Sequence, residues 1–165
     1  GRWYIADSGA ADGFSVSRLF SFTIFGEASA AKKTYADFDG DGKTDVAVFR
    51  PDNGVWYITN SSNNSVTSTA FGFGTDVLVP ADFDGDGKTD IAVYRNGFWY
   101  ILQSTAGFTG IQFGAADDKP VVGDYDGDGK ADIAVFRPSN GTWYILQSTA
   151  GFAAVRFGQA GDRPV

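Results

Sequence analysis

Short apolar runs broken by Gly, Asp, Asn and Ser set the pattern of this chain. Between positions 115 and 158 there are four such runs, at 120–122, 133–137, 143–147 and 152–157. Each is rich in β-branched or aromatic residues and bounded by turn formers, which is the composition of strands. None reaches helix length, and none shows a 3.6-residue period. The pattern predicts an all-β chain of short antiparallel strands.

The same pattern recurs. DFDGDGKTDVAVFRP starts at Asp37, DFDGDGKTDIAVYR at Asp82 and DYDGDGKADIAVFRP at Asp124. Trp-Tyr-Ile starts at Trp3, Trp56, Trp99 and Trp143, and Phe-Gly ends at Gly26, Gly74, Gly114 and Gly158. Four strands in about 44 residues is the size of one β-propeller blade. The expected fold is therefore a β-propeller segment of four-stranded antiparallel blades, about three and a half in this chain. Residues 1–26 read as strands three and four of a partial blade. Residues 27–74, 75–114 and 115–158 read as whole blades, and 159–165 as the first strand of a further one. Trp3 to Gly26 spans 23 residues against 15 for Trp99 to Gly114, so a longer hairpin is expected around 10–17.

Between the first two strands of each blade lies an Asp/Gly loop with acids at positions 1, 3, 5 and 9. These are Asp37, Asp39, Asp41 and Asp45; Asp82, Asp84, Asp86 and Asp90; and Asp124, Asp126, Asp128 and Asp132. Alternate carboxylates on a tightly curled backbone can converge on one point, and Gly at positions 4 and 6 permits the curl. Position 7 (Lys43, Lys88 and Lys130) is expected to offer its backbone carbonyl while its amine points to water. Six to eight hard oxygen ligands suit Ca²⁺, whereas Mg²⁺ keeps more of its water. Three Ca²⁺ sites are expected, with binding coupled to folding. Metal-free Asp/Gly turns are the alternative, and three copies of the same four acids weigh against it. An EF-hand is also disfavoured: position 12 is Val48, Val93 or Val135, not Glu, and a strand pattern follows. The ions are expected to be structural.

These residues resemble the FG-GAP/VCBS repeat family, related to the integrin α-subunit propeller. The features that carry the resemblance are D-x-D-G-D-G-x-x-D-[IV]-A-V-[FY]-R, then W-Y-I, then F-G, and they run through essentially the whole chain. The resemblance implies calcium loops joining the first two strands of each blade. It also implies a secreted or cell-surface setting, and a role in adhesion, in glycan or protein binding, or in support of an attached domain. Family propellers usually carry about seven blades, so closure would need further chain or another copy. Self-association through open propeller edges into a ring or filament, and a non-catalytic accessory domain of a secreted enzyme, are the other readings.

Composition narrows the function. The net charge is −7, which disfavours nucleic acid. Of 20 acidic residues only Glu27 is Glu, an excess of Asp that points to loops rather than helix faces. There is no Cys and no His, which removes disulfides, thiolate sites and the usual general base. No apolar run approaches the ~18 residues of a membrane helix, no leader pattern is visible, and the Gly1-Arg2 start reads as a processed or excised piece. Glycoside hydrolysis needs two carboxylates flanking a groove, and nearly all the clustered acids are assigned to the loops, so the chain is expected not to be an enzyme. The four Trp are expected to pack in the core rather than to stack on sugars. Arg50, Arg95 and Arg137 are expected to form strand-end ion pairs or hydrogen bonds to a neighbouring blade. Sequons at Asn60, Asn63 and Asn140 fall in turns rich in Asn and carry little weight.

Overall fold

Each apolar run closes into an antiparallel hairpin with the next. The computed structural model describes residues 36–165. The expected partial blade at 1–26, its long hairpin and the first strand of blade 27–74 lie outside those residues. Eleven strands follow: β1 (Val46–Arg50), β2 (Val55–Thr59), β3 (Val66–Ala70), β4 (Val77–Leu78), β5 (Ile91–Arg95), β6 (Phe98–Gln103), β7 (Gly107–Gln112), β8 (Lys119–Gly123), β9 (Asp132–Arg137), β10 (Thr142–Gln147) and β11 (Gly151–Arg156). They form three antiparallel sheets, β1-β2-β3, β4-β5-β6-β7 and β8-β9-β10-β11. No helix occurs among the described residues, and so none that could cross a membrane. The all-β expectation and the blade-like sheets are met.

Within each sheet the Trp of the third blade strand faces an aromatic of the second. Phe49 pairs with Trp56, Tyr94 with Trp99 and Phe136 with Trp143. Their ring centroids lie 5.5, 5.3 and 5.6 Å apart. Each indole N–H donates to a carbonyl, of Phe71, Phe113 or Phe157, at 2.9 Å in every case. Buried indoles need such a partner. Trp56 and Trp99 are buried as expected, while Trp143 is only half-buried.

The core lies between sheets. Ile91 and Val93 of β5 pack on Trp56 and Ile58 of the preceding sheet. Ala92 and Tyr94, on the opposite face of β5, join Trp99 and Ile101 against Ile133 and Val135 of β9. A strand covered on both faces reads as a continuous apolar run rather than an alternation. That explains Ile-Ala-Val-Tyr and Ile-Ala-Val-Phe in these strands.

Two local features differ from the repeat pattern. Residues 159–165 carry no strand. In the two preceding units the equivalent segment pairs with the strand after its Asp loop. Val46 and Val48 of β1 are 73% and 57% exposed although their sequence pattern matches β5 and β9.

Arg95 and Arg137 form the expected strand-end ion pairs, but within their own units. Arg95 Nε and Nη2 meet Asp76 at 2.5 and 2.6 Å, and Arg137 meets Asp118 at 2.8 and 2.8 Å. Arg50 donates instead to the Tyr57 hydroxyl, at 3.2 Å.

Candidate metal centre

The three Asp loops curl in the same way. Glycines at positions 4 and 6 hold φ between +77° and +94°, a region that other residues enter only with strain. The curl turns successive N–H groups onto the position-1 carboxylate. Asp37 accepts from Gly40 at 2.7 Å on Oδ1 and from Gly42 at 2.9 Å on Oδ2. Asp82 and Asp124 accept from the equivalent pairs, Gly85 with Gly87 and Gly127 with Gly129. Asp41, Asp86 and Asp128 each accept the N–H of the position-7 Lys at 2.8 Å.

Position 9 is placed differently. Asp45, Asp90 and Asp132 are buried, at 3%, 1% and 1% exposure. In each, Oδ2 accepts the N–H of position 2, from Phe38, Phe83 or Tyr125. Oδ1 accepts from Ser61, Ser104 or Ser148, at 2.7 Å in every case. These serines begin the hairpin turns β2–β3, β6–β7 and β10–β11. The fourth acid therefore clips its loop to the far end of its own blade.

Those hairpin turns carry residues that sequence reasoning did not single out. Ser61 donates to Asp41 and Ser62 to Asp39, at 2.8 and 2.6 Å. Ser104 and Thr105 both donate to Asp86, at 2.6 and 2.7 Å. Ser148 donates to Asp128 at 2.6 Å, and Thr149 donates to the same carboxylate. The available signal was the hexapeptide Gln-Ser-Thr-Ala-Gly-Phe, present at both 103–108 and 147–152.

The hydroxyls lower several of these carboxyls. Those of Ser148 and Thr149 hold Asp128 down to about 2. Ser62 and Ser61 likewise keep Asp39 and Asp41 below the usual carboxylate range. Burial pushes Asp86 up, but the Ser104 and Thr105 hydroxyls outweigh it and leave Asp86 low. Asp90 goes the other way, to about 6: burial is the main cause and the charges of Asp84 and Asp82 add to it, against N–H bonds from Ser104 and Phe83.

Carboxylate oxygens of Asp37, Asp39 and Asp41 lie within 4.8 Å of one another, as do those of Asp82, Asp84 and Asp86, and of Asp124, Asp126 and Asp132. A cation with ligands at about 2.3–2.6 Å spans up to ~5 Å between opposed oxygens, so each cluster fits a Ca²⁺-sized ion. The donor set, all hard oxygen and anionic, fits the same ion. The clusters bring together positions 1, 3 and 5 in the first two loops and 1, 3 and 9 in the third. Asp45, Asp90 and Asp128, read as ligands from sequence, stand outside these sets. Lys43 Nζ meets Asp41 at 3.3 Å, and the stems of Lys88 and Lys130 lie over Gly40 and Gly85 of the preceding loops. A cavity of about 780 Å³ opens among the loops, with Asp37, Asp82 and Asp124 in its wall.

Comparison with protein-family models matches an FG-GAP-like repeat over residues 37–93 and an FG-GAP repeat over 119–155. Searches of curated proteins and of solved structures gave no match.

Proposed function

We propose, for a chain that belongs to the FG-GAP repeat family, a role as a calcium-stabilised, non-catalytic β-propeller binding module of a secreted or cell-surface protein. The observation that carries this reading is the convergence of three carboxylates in each of three loops. The converging acids, Asp37, Asp39 and Asp41 in the first loop, Asp82, Asp84 and Asp86 in the second and Asp124, Asp126 and Asp132 in the third, would hold one ion each. The Lys43, Lys88 and Lys130 carbonyls would complete the sets. Bound Ca²⁺ would supply positive charge where acids crowd, carrying the formal charge from −7 to −1.

The chain's own groups prepare that site. Main-chain N–H groups and hairpin hydroxyls hold the acids in place and keep Asp39, Asp41, Asp86 and Asp128 ionised. FG-GAP repeats occur in extracellular and cell-surface proteins, which supports that setting. The loop-lined cavity is the place we assign to a glycan or protein ligand.

Calorimetric titration of the chelator-stripped chain tests the reading. Three Ca²⁺ should bind per chain, with Mg²⁺ far weaker because it prefers fewer protein ligands. The absence of Ca²⁺ heat, or equal affinity for Mg²⁺, would refute it.

A further inference from the structure

We infer that neighbouring loops bind their ions cooperatively, with Thr89 as the positioning residue that ties the first loop to the second. This rests on the calcium reading above. The Thr89 N–H donates to the Asp37 carbonyl at 2.6 Å. The Asp37 N–H donates back to the Thr89 hydroxyl at 3.0 Å. Both main-chain groups of a position-1 aspartate are thus held by position 8 of the next loop. One link recurs further along, where the Ala131 N–H donates to the Asp82 carbonyl at 2.7 Å. Alanine has no hydroxyl, so the second link does not.

Side chains reinforce the join. A Cβ added at Gly40 would stand 3.0 Å from Lys88 Cγ and Cε, and one at Gly85 would stand 3.0 Å from Lys130 Cγ. Each lysine stem therefore roofs the preceding loop. Burial of the position-1 acid follows the roof: Asp37 is buried, Asp82 half-buried and Asp124 exposed.

Loop order propagates through these contacts. The Asp37 carboxylate gathers the N–H groups of its own loop, while its main chain grips Thr89. Thr89 is adjacent to Asp90, which joins the second loop to its hairpin. An ion that fixes the first loop fixes part of the second, and linkage makes the effect mutual. Two hydrogen bonds and a roof should couple the first pair of loops more strongly than one bond and a roof couple the second pair.

Native mass spectrometry at substoichiometric Ca²⁺ reads this directly. In the full chain, doubly loaded molecules should exceed the share that independent binding allows. T89A should bring the distribution back towards independence and weaken Ca²⁺ binding by about fivefold or more, while T89S should keep the wild-type pattern. A131T, which supplies the missing hydroxyl, should raise the triply loaded share, and this variant decides the matter if T89A does not fold. An independent distribution in the wild type, or no change in T89A or in A131T, would overturn the coupling and leave the calcium reading standing. No bound Ca²⁺ at all would overturn both.

Discussion

Asp76 illustrates how much a single acid carries in this chain. Its side chain is fully buried, and both oxygens meet Arg95. Oδ2 also accepts the Phe73 N–H at 2.8 Å, which fixes the turn between two blades. Burial pushes this carboxyl up, but the guanidinium and the N–H outweigh it and leave it below the ordinary value. A depressed carboxylate stabilises the fold above its unfolded pKa, near 4, and that stability is lost as pH falls through the folded value. In chelator, the urea midpoint should therefore drop as pH falls from about 5 to below 4. D76N should cost about 2 kcal/mol at neutral pH, because it leaves Arg95 unpaired, and should flatten the acid limb. An unchanged acid limb in D76N would refute this role. The sequence pointed to an ion pair for Arg95 but not to its partner, although an Asp four residues after a Phe-Gly glycine recurs at Asp76, Asp118 and Asp162. The loop acids were legible because their spacing repeats three times. The hairpin hydroxyls were not, because Ser and Thr in a turn look the same whether or not they hold a carboxylate.

Elements follow the sequence closely where turn chemistry is local. The Asn96-Gly97 pair, both with positive φ, closes β5 onto β6 with Arg95 opposite Phe98, as two-residue hairpins require. Gly97 also has a tertiary duty. A Cβ there would stand 2.7 Å from the Gly114 carbonyl oxygen, so the chain leaving the blade passes directly over this turn. Gly107 has similar φ but open space around it. G107A should cost about 1 kcal/mol through backbone strain alone. G97A should cost at least ~1 kcal/mol more, since backbone must also shift. Urea unfolding of the two variants checks this, and equal costs would contradict the packing. Sequence reading located the strands to within a residue or two, as in β8 to β11, because each run is bounded by its own turn formers.

At the scale of the molecule, the blades share no covalent staple, and among the described residues they meet through two apolar interfaces and a row of acidic loops. The interfaces are satisfied internally: among the described residues no buried side-chain nitrogen or oxygen lacks a hydrogen-bond partner. The loops are where charge accumulates, with twelve of the 20 acids inside three nine-residue segments. Like charges at that spacing repel at short range, and salt screens such repulsion only in part. A divalent ion in each loop would remove the repulsion and bind the folded chain alone, so its free energy of binding would add to stability. Differential scanning calorimetry of the chain in millimolar Ca²⁺ and in EDTA, at fixed ionic strength, tests this most directly. The account predicts a melting temperature that rises with Ca²⁺ concentration and falls by several degrees or more on chelation; superimposable transitions in Ca²⁺ and in EDTA would contradict it.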